Sequence, residues 1–160
     1  DCFEALFLSK REPKRPSCLN EREIEKKEIS GTFLEHNRYH FQVRANPTVK
    51  RVIRDAKGKR KKNGRRTAIC DERGLRDWIE RKAEEGGVSI EKVVFTAPVK
   101  NTFLRRKKGE KWRRGKHASV DFKGIFTVKK RERFKKMFEK GIGPAKAFGF
   151  GMLMLRPIDR

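Results

Sequence analysis

The chain has 160 residues, with 44 Lys plus Arg against 21 Asp plus Glu and a formal net charge of +23. Such a charge repels itself in the folded state, so the composition points to an abundant polyanion as partner. With 35% hydrophobic residues, 12 Phe and 2 Trp, the chain can still bury a core, which excludes a disordered basic tail.

The length suits one ordinary domain or two small ones. The longest apolar stretch, Phe3 to Leu8 interrupted by Glu4, is too short to span a bilayer, and nothing reads as a cleavable signal. Cys2, Cys18 and Cys70 are odd in number and lie in no C-x-x-C or Cys/His spacing, so neither a disulfide framework nor a zinc site is indicated. A soluble protein of the reducing cytoplasm is expected, although a basic membrane-surface protein would share the charge.

The chain opens at Asp1 and runs directly into a strand-like segment, Cys2 to Ser9, so it reads as part of a longer polypeptide. Arg11 to Ser17 is a Pro-bearing loop, and Glu21 to Ile29 suggests a helix with only Ile24 and Ile29 as apolar anchors. Tyr39, Phe41 and Val43 alternate with His40, Gln42 and Arg44, predicting a half-buried strand closed by Asn46-Pro47. Lys50 to Arg66 holds ten basic residues and one acid, with Gly58, Asn63 and Gly64 as turn residues. This run reads as a solvated linker loop or a hairpin between domains, with phosphate contact as the competing role.

Asp71 to Glu85 predicts an amphipathic helix: Leu75, Trp78 and Ile79 form its apolar stripe, Asp71 can cap it, and Gly86-Gly87 stops it. Ile90 to Phe95 predicts a strand. Phe103-Leu104 and Ser119 to Val128 predict strands flanking a basic excursion, Arg105 to Lys116, with Gly109 and Gly115 as turn points. Phe134, Met137 and Phe138 mark a short helix ended by Gly141, and Phe148 to Leu155 suggests a last strand. The predicted organisation is residues 1–49 as the remainder of an N-terminal α+β domain, 50–66 as a basic linker, and 67–160 as a second α+β domain.

Arg105, Arg106, Lys107, Lys108, Lys111, Arg113, Arg114 and Lys116 place eight cations in twelve residues around Trp112. On a hairpin such charges can neutralise the phosphates of an RNA helix while Trp112 stacks on an exposed base; the bland alternative is a solvated edge that resists aggregation. Arg73, Arg76, Arg81 and Lys82 lie mostly off the apolar helix face, where Asp77 and Glu80 could pair with them. The stretch from Gly141 through Gly143, Lys146 and Gly149 to Gly151 matches neither nucleotide-binding glycine motif and follows a helix instead of a strand. Its glycines either bring backbone amides close to phosphate, helped by Lys146, or serve a tight cap and packing. Of the three histidines, His40 reads as structural or exposed, His36 falls in an expected turn, and His117 beside the basic hairpin is a candidate acid or base. No paired carboxylates suggest a two-metal nuclease. Neither a metal nor a small-molecule cofactor is expected.

Gly141 to Leu155, GIGPAKAFGFGMLML, resembles the C-terminal glycine-rich motif of CRISPR repeat-processing endoribonucleases, most closely the CasE (Cse3) family of subtype I-E Cascade. Three more matches occur in family order: Phe41-Gln-Val-Arg44-Ala-Asn46-Pro47, Trp78-Ile-Glu-Arg81-Lys, and Asp121-Phe122-Lys-Gly124. The resemblance implies tandem ferredoxin-like (RRM-like, RAMP) domains, the first incomplete at its N-terminus. It also implies a repeat-RNA stem-loop held across the second domain's hairpin and helix, with Arg81 as an RNA contact and Lys108 near the cut strand. The family's catalytic histidine and tyrosine belong to a segment with no match here, so no catalytic residue is assigned. The implied activity is metal-independent attack of a 2′-hydroxyl on the adjacent phosphate, with the product hairpin retained alongside other Cascade subunits. The alternatives are a non-catalytic holder of the crRNA hairpin and a structural RNA-binding protein of the ribosomal sort.

Overall fold

A computed structural model describes residues 6–20, 23–52, 58, 59, 64–105 and 112–158. Its core is an antiparallel sheet built from β1 (Arg38–Ala45), β4 (Val88–Phe95), β6 (Arg113–Val128) and β7 (Leu153–Pro157), in the order β4-β6-β1-β7. Two further strands, β2 (Thr48–Arg51) and β3 (Arg65–Ala68), form a separate hairpin, and β5 (Val99–Arg105) pairs only with the first half of β6. The helices α1 (Glu72–Glu85) and α2 (Arg131–Lys140) complete a β-α-β-β-α-β unit. This is the ferredoxin-like order.

The alternation in β1 decides which face is covered. Tyr39, Phe41, Val43 and Ala45 are buried, whereas His40, Gln42 and Arg44 point to the other side. On the covered side Tyr39 packs on Phe134 of α2, with ring centroids 5.1 Å apart, and Trp78 of α1 stacks on Phe122 of β6 at 5.8 Å. Burying each such side chain stabilises the fold by roughly 1.5–3 kcal/mol. The opposite face remains an open groove lined by His40, Gln42, Lys92, Lys123, Met154 and Arg156, among others.

Helix α1 starts where its cap chemistry directs, the Asp71 carboxylate accepting from the Gly74 amide at 2.7 Å. It ends at Gly86, where a Cβ would meet the sulfur of Met137 from α2.

Four expectations need correction. Strand β1 pairs with β6 through eight residues and with β7 through five, so residues 38–45 share one sheet with the second half, and the expected boundary after residue 49 cuts through that sheet. The basic run between β1 and α1 is therefore an insertion in one domain, and the pattern misled because its charge looks like a linker. Residues 6–9 form no strand, and Leu6 and Phe7 are exposed; no described strand lies beside them to take their hydrogen bonds. Residues 1–5 of that expected strand lie outside the described residues. Residues 24–29 form no helix, since two apolar anchors cannot bury a helix face. The final strand starts only at Leu153, because Gly149 and Gly151 take φ of 80° and 88°.

Candidate nucleic-acid interface

The four motifs that resemble one family lie in contact with one another. Arg44 of β1 makes a two-pronged ion pair with Asp121 of β6, at 2.7 and 2.9 Å. Phe122, next in that second motif, stacks under Trp78 of the third. A Cβ on Gly143 would lie 2.9 Å from the Trp78 ring, so the fourth motif rests on the third. Finally, the Gly151 amide donates to the Arg44 carbonyl at 2.7 Å and closes the circuit.

The glycine-rich turn is thus held at both ends. The Ile142 amide donates to the Gly151 carbonyl at 2.7 Å. At Gly151 a Cβ would fall 2.1 Å from the Ile142 carbonyl oxygen, so no larger residue fits there without moving backbone. For Gly141, Gly143 and Gly151 the packing role accounts for the glycine. Gly149 differs, since a Cβ there would touch nothing within 4 Å. Between them Lys146, Ala147 and Phe148 form a short 3-10 turn, exposed on the surface.

The turn also reaches the basic hairpin. Phe148 meets Phe103 of β5 at 4.4 Å and His117 of β6 at 4.8 Å. The β5–β6 register puts Asn101 opposite His117 and Phe103 opposite Gly115, which builds one aromatic and polar face. Gly115 is a strand residue and not a turn point: a Cβ there would collide with the Phe103 ring. On the other face Arg114 stands opposite Leu104, Lys116 opposite Thr102, and Lys100 opposite Ala118. Lys100, Arg114 and Lys116 are exposed and form a row of cations with no ion-pair partner among the described residues.

Arg105 and Arg113 are opposite one another at the ends of β5 and β6. Trp112 is 62% exposed beside them. Arg106, Lys107, Lys108, Gly109 and Lys111 lie outside the described residues. Arg81 is on the exposed side of α1, 3.9 Å from Glu85 one turn on, and Arg76 pairs with Glu72 at 3.6 Å while lying over the Phe95 ring. The partners of this helix are therefore Glu72 and Glu85, and not the expected Asp77 and Glu80. These are exposed pairs, worth a few tenths of a kcal/mol each.

His117 is the histidine that the fold singles out. Asn46, 4% exposed, donates its amide to His117 Nδ1 at 3.0 Å. The imidazole stacks on Phe103 with centroids 4.8 Å apart. This cage is not legible in the sequence, where Asn46-Pro47 marks only the end of a strand. His40 is half-buried on the open sheet face, and the His36 carbonyl accepts from Arg131. Among the described residues no helix is long and apolar enough to cross a membrane.

A model of the family described as CRISPR associated protein matches residues 3–157. The chain is 33% identical over 129 residues to the CRISPR-associated endoribonuclease Cse3 of Thermus thermophilus, an alignment covering 75% of this chain and 56% of the relative. Among solved structures, a Cse3 endoribonuclease bound to a 19-nucleotide RNA superposes with a TM-score of 0.61 at 29% identity, covering 76% of this chain and 57% of that one. Cas6e from Escherichia coli K-12 gives a TM-score of 0.56 at 26% identity, covering 84% of this chain and 65% of the other. The chain thus spans a little over half the length of the first relatives it matches. With a family model over nearly its whole length and the four motifs joined in space, the chain belongs to the CRISPR associated protein family, in its CasE (Cse3) branch.

Proposed function

We propose that this chain is the RNA-gripping portion of a CRISPR repeat-RNA endoribonuclease, which binds the repeat stem-loop and stays on the crRNA 3′ hairpin as a Cascade subunit. The observation that carries this reading is the glycine-rich turn braced between α1 at Trp78 and the hairpin at Phe103 and His117. That bracing fixes the cationic row of Lys100, Arg114 and Lys116 relative to the sheet. Lys146 on the turn and Arg81 on the helix add charge. A rigid row of this kind can follow the phosphates of an A-form stem, and each neutralised phosphate releases counterions. Arg105, Arg106, Lys107, Lys108, Lys111 and Arg113 belong to the same stretch of sequence and add to its positive charge. Trp112 supplies a stacking surface.

In the cleavage step proposed for the whole protein, the 2′-hydroxyl next to the scissile bond attacks its phosphorus in line. The P–O5′ bond breaks, leaving a 2′,3′-cyclic phosphate and a 5′-hydroxyl. Cations held near the phosphorane stabilise its charge, and no metal is needed.

The test is binding and cutting of a labelled repeat stem-loop in EDTA. Specific cutting at the stem base, unaffected by chelation, is expected of the whole protein, and a strict divalent-metal requirement would overturn the mechanism. A second reading, a non-catalytic hairpin holder, is favoured by the caging of His117 and the half-burial of His36 and His40. It predicts tight binding by this chain with the RNA intact in every buffer. Preference for ribosomal RNA over the repeat hairpin in competition would overturn both readings.

A further inference from the structure

Where the β5–β6 hairpin meets the glycine-rich turn there is a cavity of about 300 Å³, lined by Arg44, Asn101, Phe103, His117, Phe148 and Gly149 among others. Its walls are flat rings: Phe103 is stacked on His117, and the edges of Phe148 and Phe150 face the imidazole at 4.8 and 5.7 Å. Phe148 remains 49% exposed although it is part of this cluster. Gly149 leaves open space at the rim, since a Cβ there would meet no atom within 4 Å.

The polar groups are poised for more than the fold uses. Asn46 Nδ2 can only donate, so in this arrangement His117 Nδ1 accepts and the ring proton sits on Nε2. Nε2 is buried with no hydrogen-bond partner among the described residues; behind it the Oδ1 of Asn46, 4% exposed, is likewise unpaired, although Asn46 does not itself line the cavity. Asn101 gives its amide to Ser119 Oγ at 2.8 Å, which leaves its Oδ1 as an acceptor. Arg44, held by Asp121, adds a fixed guanidinium. A buried donor and acceptor left unpaired forfeit their hydration with no return, so native proteins rarely leave them idle. One water could pair with these atoms, but it would leave Phe148 as an uncovered aromatic wall.

We propose that this pocket takes one unpaired nucleobase of the bound RNA, stacked against Phe148 and hydrogen-bonded at its edge. This inference rests on the reading of the chain as an RNA binder. Planar rings with donors and acceptors on the rim fit such walls, and a base within an A-form stem cannot enter, so the captured base flanks the stem or lies in its loop. The site is separate from the cationic row, which lies on the other face of the same hairpin.

The test is a scan in which each unpaired nucleotide of the repeat stem-loop is replaced by an abasic residue, with binding measured to the wild-type chain and to Phe148→Ala. Phe148 is half exposed but also packs on Phe103 and His117, so circular dichroism and thermal melting check that its truncation keeps the fold, and an unchanged salt slope of binding checks that the cationic row is still in place. One position should weaken binding by roughly ten- to a hundredfold when abasic. Phe148→Ala should weaken intact RNA by a similar factor and abasic RNA no further. A 2-aminopurine at that position should be quenched by the wild type and not by the variant. Equal affinity across the scan, or losses that simply add, would overturn the pocket while salt-dependent binding upheld the interface. Failure to bind any RNA would overturn both.

Discussion

The hairpins β5–β6 and β2–β3 leave the same end of the sheet and share a basic composition, but their roots are built differently. In β5–β6 one face is pinned by Phe103, His117 and Phe148, while Lys100, Arg114 and Lys116 stand on the other opposite neutral residues. In β2–β3, Lys50 lies opposite Arg66, so like charges face each other across the ladder. Such pairs are destabilising. Val49 and Val52 there are exposed, and the corner at its root is closed by the Ile69 amide donating to the Pro47 carbonyl at 3.1 Å. Two stretches of similarly basic composition thus yield an oriented row in one hairpin and a self-repelling ladder in the other, and the difference comes from what is packed behind each.

The most forceful way to break the contrast is to unpin the first hairpin from behind. Gly151→Ala forces a side chain onto a φ of 88° and against the Ile142 carbonyl. Strain and lost hydrogen bonds together should cost about 3 kcal/mol, which lowers the melting temperature by about 6–12 °C in a chain of this size. RNA affinity should fall with it. A variant that melts with the wild type would show that the turn does not hold the hairpin.

Cutting the link between the two roots is a milder intervention. Asn46→Ala leaves His117 Nδ1 without its donor and should cost about 1–2 kcal/mol, read from thermal or denaturant unfolding. Stability unchanged within error would remove Asn46 from the account of the root.

Exchanging charges sharpens the comparison itself. Arg114→Gln with Lys116→Gln should reduce the slope of log affinity against log salt by roughly 1.4–1.8, because each lost phosphate contact carries about 0.7–0.9. Lys50→Gln with Arg66→Gln should change that slope less, and should raise the stability of the free protein by a few tenths of a kcal/mol as cross-strand repulsion is relieved. Equal slopes for the two pairs would mean that both hairpins grip RNA alike.

The amphipathic helix, the strand at Tyr39 to Arg44 and the hairpin strands were legible because their periodicity reports local burial. The sheet partner of β1 was not, since pairing is a long-range property and the intervening basic run imitates a linker. The interface was legible as composition and motif: eight cations around Trp112, and a turn dense in glycine. The choice between backbone contact and packing for Gly141, Gly143 and Gly151 needed the opposing atoms, which come from residues far away in the chain. His117 was noticed for its position beside the hairpin, but its aromatic cage depends on Phe103 and Phe148, which only the folded turn brings together.

A modest effect, read only through pH, concerns the rim between the turn and the hairpin, where Arg44 and Asp121 join two of the four motifs. The hydrogen bonds from Arg44 hold the Asp121 carboxyl below its ordinary value of 3.8, outweighing its partial burial. A depressed carboxylate stabilises the fold fully above its unfolded pKa, and that contribution is lost as pH falls through the native pKa. The pair is largely solvent-exposed on the arginine side, so its worth is about 0.5–1 kcal/mol. Unfolding free energy of the wild type should therefore decline by that amount as pH drops below about 4, over and above the loss from Glu35 and Glu91, which Lys135 and Arg38 shift in the same direction. Asp121→Asn should be weaker at neutral pH by the same amount and should lack that part of the acid decline. Parallel pH profiles for the two proteins would mean that Arg44 is positioned by the Gly151 amide on its carbonyl, and not by its carboxylate partner.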